Sequence, residues 1–113
     1  MSDHELDAIA AIGRRDHDKN LWFGSLAAVA VAHCLDTASS WGKREANGLL
    51  QGKGGRFDER SLTVKAVLVG GYVAIQDQAT LHNPAMYRWM AGLNAMIAAV
   101  YGVVAARNFT IPR

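Results

Sequence analysis

Leu21-Trp-Phe-Gly-Ser-Leu-Ala-Ala-Val-Ala-Val-Ala-His-Cys-Leu-Asp-Thr-Ala-Ser-Ser-Trp41 is a run of 21 residues with one charge, Asp36. As a helix rising ~1.5 Å per residue, it covers roughly 30 Å, the thickness of a bilayer core. Working outward, the charges lie in blocks. Residues 1–20 hold eight of the 22 charged side chains and residues 43–60 hold eight more, whereas residues 61–106 hold only Lys65, Asp77 and Arg88. Tyr87 to Ala106 makes a second stretch of spanning length, with Arg88 at its edge where the stem can snorkel. Leu62 to Ile75 is shorter and carries Lys65; extended to 61–76 it covers roughly 24 Å, thin for a span without help from its neighbours.

The chain of 113 residues has room for one domain. Half its residues are hydrophobic, 19% are charged and the net charge is +2, which argues against disorder and against nucleic-acid binding. Two prolines and one cysteine exclude collagen-like and disulfide-stapled chains. The expected fold is therefore all-α, a transmembrane three-helix bundle with spans near 21–41, 61–76 and 87–107. It follows a charged tail at 1–20 and precedes a short tail at 109–113. Trp22, Trp41, Tyr87 and Trp89 stand near block ends, as interfacial aromatics do. Gly24, Ala28 and Ala32, and again Ala98, Gly102 and Ala106, repeat at the spacing that lets helices pack closely in lipid. The competing reading is a soluble bundle of alanine-rich helices.

The first 20 residues are too charged for a secretory signal. Leu6, Ile9, Ala10 and Gly13 would line one side of a short interfacial helix, the alternative being a solvated tail. Gln51-Gly-Lys-Gly-Gly-Arg56 lacks the eight-residue phosphate-loop pattern, so no nucleotide is expected. With three crossings, seven basic residues fall on the side of the first loop and C-terminus against four on the other. The N-terminus would then face outward, by a small margin.

The polar residues fall on stripes. At 100° per residue, His33, Asp36, Ser40, Lys43 and Asn47 lie within about 80° of arc on the first helix. Lys65, Tyr72 and Gln76 follow at spacings of seven and four, and Tyr87, Asn94, Tyr101 and Asn108 at sevens. An ionised side chain at mid-span costs roughly 2.5–3.5 kcal/mol on insertion scales, so the stripes are expected to face one another. The expected intramembrane polar residues are Asp36, Ser40, Lys65, Tyr72, Asn94 and Tyr101. Asp36, Lys65, Asn94 and Tyr101 form the core of that cluster, and Asp36 pairs with Lys65. Three alternatives remain for this seam: register-fixing polar contacts, a proton or substrate pathway through Asp36, His33 and Lys65, or one or more stripes facing another subunit. His33 is also a candidate ligand for haem or another pigment, although the other histidines lie outside the spans. Cys34 reads as a packing residue, and no catalytic or metal-ligand spacing is found.

Asp36, Thr37, Ser40, Gly42, Glu45 and Asn47, with Lys65 opening the next helix and Asn94, Tyr101 and Asn108 in the last, resemble a family of small uncharacterised bacterial inner-membrane proteins. In that family an Asp-bearing first helix leads into a Gly-x-x-Glu-x-Asn-Pro-like motif. Here Gly48 stands where the pattern has proline, and the interval from Asp36 to Gly42 is short. The resemblance implies a multi-pass inner-membrane location and no known activity, with Asp36, Gly42, Glu45 and Asn47 as motif residues. The resulting expectation is a non-catalytic accessory or structural subunit of a larger membrane complex. Its partners would be lipid and other membrane subunits, and it would carry no metal or cofactor unless a pigment sits at His33.

Overall fold

The computed structural model describes residues 1–43, 45 and 50–112. Among these the chain is all-helical, with three helices and no strands: α1 (Asp3–Ser40), α2 (Glu59–His82) and α3 (Met86–Asn108). Asn47, an expected motif residue, lies outside the described residues, as does Gly48.

Local chemistry sets the boundaries. Ser2 and Glu5 form a capping box at the start of α1: the Glu5 N–H donates to Ser2 Oγ (3.2 Å), and the Ser2 N–H donates to Glu5 Oε2 (2.7 Å). Asp58 and Ser61 do the same for α2. Helix α1 stops at Trp41, where Gly42 takes φ +73°, a left-handed conformation suited to glycine. Asn83 and Pro84 break the path between α2 and α3, leaving a link of three residues, 83–85.

Contacts fix the directions. Trp22 meets Tyr87, His33 meets Tyr101 and Ser40 meets Asn108, so α1 and α3 run parallel and side by side. Asp36 meets Lys65 and Trp22 meets Gln76, so α2 runs antiparallel to both. Helix α2 stands further off, joined to α1 mainly through side chains. The molecule measures 67 × 25 × 15 Å. Its length comes from α1, whose residues 3–20 continue the apolar segment as one uninterrupted helix beyond the start of α3. Helical structure thus covers the region expected as a tail, with Leu6, Ile9 and Ile12 exposed.

Helices α1 and α3 are long and apolar enough to cross a membrane. Helix α2 is long enough, but its polar residues keep it below that apolar standard.

Candidate functional site

Buried residues on α1 recur at 22, 25, 29, 32 and 36, then at both 39 and 40, a stripe of spacings three and four. It places Trp22, Ser25, Asp36 and Ser40 on the face toward α2 and α3. Polar side chains on those helices meet it in separate layers.

The first layer is a closed amide network. Asn94 Nδ2 donates to Gln76 Oε1 (2.8 Å) and Ser25 Oγ (3.0 Å). Asn94 Oδ1 accepts from Gln76 Nε2 (2.8 Å) and the Tyr72 hydroxyl (2.7 Å). All four hydrogen-bonding positions of the Asn94 amide are therefore used. Trp22 Nε1 also donates to Gln76 Oε1 (3.0 Å), and Ser25 Oγ donates to the Trp22 carbonyl (2.6 Å). Trp22 is thus buried inside the bundle, unlike the interfacial aromatic its position suggests.

The second layer lies eleven residues away along α2, ~16 Å at the helical rise. Lys65 Nζ forms a buried salt bridge with Asp36 Oδ2. Two rings flank the ammonium, Tyr101 at 5.3 Å and Phe57 at 5.9 Å from their centroids, both within cation–π range. His33 packs on Tyr101 with ring centroids 4.2 Å apart. The expected cluster of Asp36, Lys65, Asn94 and Tyr101 is accordingly divided: Asn94 belongs to the amide layer, and the other three stand together.

Beyond this layer the α1–α2 connection folds over the bundle end. The Gly42 N–H donates to the Phe57 carbonyl and the Phe57 N–H to the Lys43 carbonyl, both at 2.8 Å. The Glu45 N–H donates to the Gly55 carbonyl at 2.9 Å. Gly42 and Glu45 of the expected motif therefore sit in a backbone clasp that holds Phe57, 1% exposed, over Lys65. Ser40 Oγ accepts from Asn108 Nδ2 (3.1 Å), and Lys43 Nζ donates to the Asn108 carbonyl, which ties the clasp to the end of α3.

Comparison with known proteins finds no match: no family model fits the chain, and neither a curated protein nor a solved structure matches it. The site therefore has to be read from its own chemistry. Ser25 and Trp22 were missed as network members in the sequence, although both continue the Asp36–Ser40 stripe backward at helical spacing. Cys34 is exposed, and no group of three His, Cys, Asp or Glu side chains is placed to hold a metal among the described residues. The arrangement can hold three helices in register and keep one ion pair out of solvent. It also leaves His33 half-buried beside the pair.

Proposed function

We propose that the protein is a three-span protein of the bacterial inner membrane, serving as a small non-catalytic accessory or structural subunit of a larger membrane complex. The observation that carries the membrane reading is an inverted distribution of polarity. Among the described residues, nine buried side chains are polar or charged and five are hydrophobic. Large apolar side chains meanwhile point outward along all three helices: Val31, Val67, Ile75, Met96, Val100 and Val103 are all more than half exposed. In water such a surface is an association liability and such a core gives little hydrophobic stabilisation. In lipid both become favourable, because exposed apolar groups match the solvent and polar groups find partners only inside.

The subunit role is supported by the way the polar groups are used. Asn94, Gln76, Tyr72 and Trp22 bond to one another, which suits a register-fixing seam. Residues 3–20 of α1 project from the bundle with apolar side chains exposed, a form suited to contact with another subunit. The family resemblance on Asp36, Gly42, Glu45 and Lys65 belongs to the same reading. A second reading, proton or substrate handling, draws on the Asp36–Lys65 pair with His33 close by.

The test has two stages. Membranes washed with alkaline carbonate should retain the protein, whereas release into the supernatant means a soluble or peripheral helical bundle. Gentle detergent extraction followed by sizing should then give a complex larger than the monomer with defined partners, and a lone monomer would overturn the subunit role. Asp36→Asn separates the second reading: loss of transport in a protein that still accumulates supports it, and failure to accumulate supports a structural seam.

A further inference from the structure

His33 is the exception in this bundle. Among the described residues its Nδ1 is the one enclosed side-chain nitrogen or oxygen with no hydrogen-bond partner. A buried N–H without an acceptor costs more than a bare lone pair, so the hydrogen-bond inventory assigns the proton to Nε2. The imidazole then presents an Nε2–H donor that nothing among the described residues accepts. Tyr101, whose ring packs against it at a tilt of 45°, adds a hydroxyl that likewise makes no hydrogen bond among them.

Space for a ligand lies on both sides of this pair, because α2 stands off from its neighbours. One cleft, between α1 and α2, has a volume of about 390 Å³, with Ala30, Thr37, Leu62, Lys65 and Ala66 among its lining residues. The other, about 280 Å³, is lined by His33, Leu68, Val69, Tyr72, Ile97 and Tyr101. His33 and Val69 line both, both are open to the outside of the bundle, and their walls are largely apolar. Together they fall within the size range of ordinary small-ligand sites, which are mostly apolar with a few convergent polar groups.

The geometry points to a lipophilic quinone as the occupant, its ring beside His33 and Tyr101 with carbonyl oxygens accepting from their donors, and its tail along the apolar cleft. With the Lys65 ammonium paired, the donors left in these largely apolar walls, His33, Tyr101 and the Thr37 hydroxyl, are neutral and call for a neutral acceptor. A free carboxylate would need a cation, and Lys65 is already committed to Asp36. A phospholipid headgroup is too polar for walls of this kind. A flat ring with acceptors at both ends and an apolar tail meets each demand. The inference concerns binding alone, and it rests on the membrane reading, since the clefts open to the lipid phase.

The experiment is photolabelling of the detergent-purified protein with an azidobenzoquinone bearing an alkyl chain, mapped by mass spectrometry, with unmodified quinone as competitor. Saturable, competed labelling should fall on the Leu68–Tyr72 and Ile97–Tyr101 stretches. His33→Phe keeps the ring bulk and should weaken competition by about tenfold, the worth of one ordinary hydrogen bond. Tyr101→Phe removes only the hydroxyl and should weaken it severalfold, and it carries the test alone if His33→Phe fails to accumulate. Val67→Ala, on an outward face, should change nothing. Labelling that spreads unsaturably over outward-facing residues overturns the proposal, as does unchanged competition in both ring variants. A coordinated haem or pigment copurifying at His33 overturns it too. Carbonate fractionation of the same cells scores the membrane reading separately.

Discussion

Along α3 the backbone lies against α1, and the seam between them is closed by Val29, Ala32 and Ala105, none more than 5% exposed. Along α2 the backbone stands off, and the gap is crossed by Lys65, Gln76 and Tyr72, whose polar ends find partners on the other two helices. The buried residues of α2 are all polar: Ser61, Lys65, Gln76 and Thr80. In lipid, apolar contact gives helices little reason to prefer one another over acyl chains, so close packing and polar contacts must hold a bundle together. The two attachments separate these means. The helix joined by close packing is apolar enough to cross unaided by the length and composition standard, and the helix joined by polar contacts is not. Helix α2 then depends on α1 and α3 for its place, while α1 and α3 depend little on α2.

Breaking the ion pair should show this dependence most strongly. Removing one partner of a buried pair leaves an uncompensated charge and costs about 3–5 kcal/mol. Lys65→Ala leaves Asp36 unpaired, and Asp36→Ala leaves Lys65 unpaired. Either should release α2 while α1 and α3 stay associated, read as protease or thiol-reagent access to cysteines introduced on α2 but not on α3. Replacing both residues, Asp36→Leu with Lys65→Met, should restore most of the loss, since a hydrophobic pair of similar size is often as stable as a buried salt bridge. Equal loss of α2 and α3 in the single variants would mean that the two attachments are not separable.

The amide layer should give a smaller effect. Asn94→Leu removes the four bonds of the Asn94 amide and strands the Gln76 amide, whose remaining hydrogen-bond partner among the described residues is the Trp22 indole. Interhelical hydrogen bonds in membranes average roughly 0.6 kcal/mol and reach about 1.7 kcal/mol, so the variant should lose about 1–2 kcal/mol in a graded SDS unfolding titration. A loss as large as that of Lys65→Ala would place the amide layer, and not the ion pair, at the centre of α2 attachment.

What the sequence made legible follows the same division. The three helices and the facing of Asp36 toward Lys65 come from periodicity and the cost of burying charge, both readable along one chain. The separation into layers is a matter of depth. Asn94 lies on the same helix face as Tyr101, but seven residues along that face is ~10 Å, enough to give it different partners. Trp22 was hidden because an indole near a block end fits two environments, and only its bond to Gln76 decides between them. Residues 3–20 gave a mixed signal: their charges describe a solvated segment, while the capping box at Ser2 and the run into Leu21 keep it helical.

The small-residue runs offer the subtlest test of the comparison. Four-residue spacing selects Gly24, Ala28 and Ala32 as packing positions; Ala32 is buried, but Gly24 and Ala28 are exposed, and the buried positions beside them are Ser25 and Val29, one residue further along. A Cβ at Gly24 or Gly102 would meet nothing within 4 Å. Gly24→Ala should therefore change stability by no more than about 0.5 kcal/mol, and with helical propensity favouring alanine the sign should be stabilising. Ala105→Leu, by contrast, forces extra volume into a 2%-exposed site and should cost about 1–3 kcal/mol in the same SDS titration, separating α3 from α1. A destabilising Gly24→Ala would show that Gly24 is packed in the assembled protein after all, against a helix from another chain. Its loss of oligomer on sizing in mild detergent would then locate the subunit contact at the groove between α1 and α3 lined by Gly24, Ala91 and Gly92.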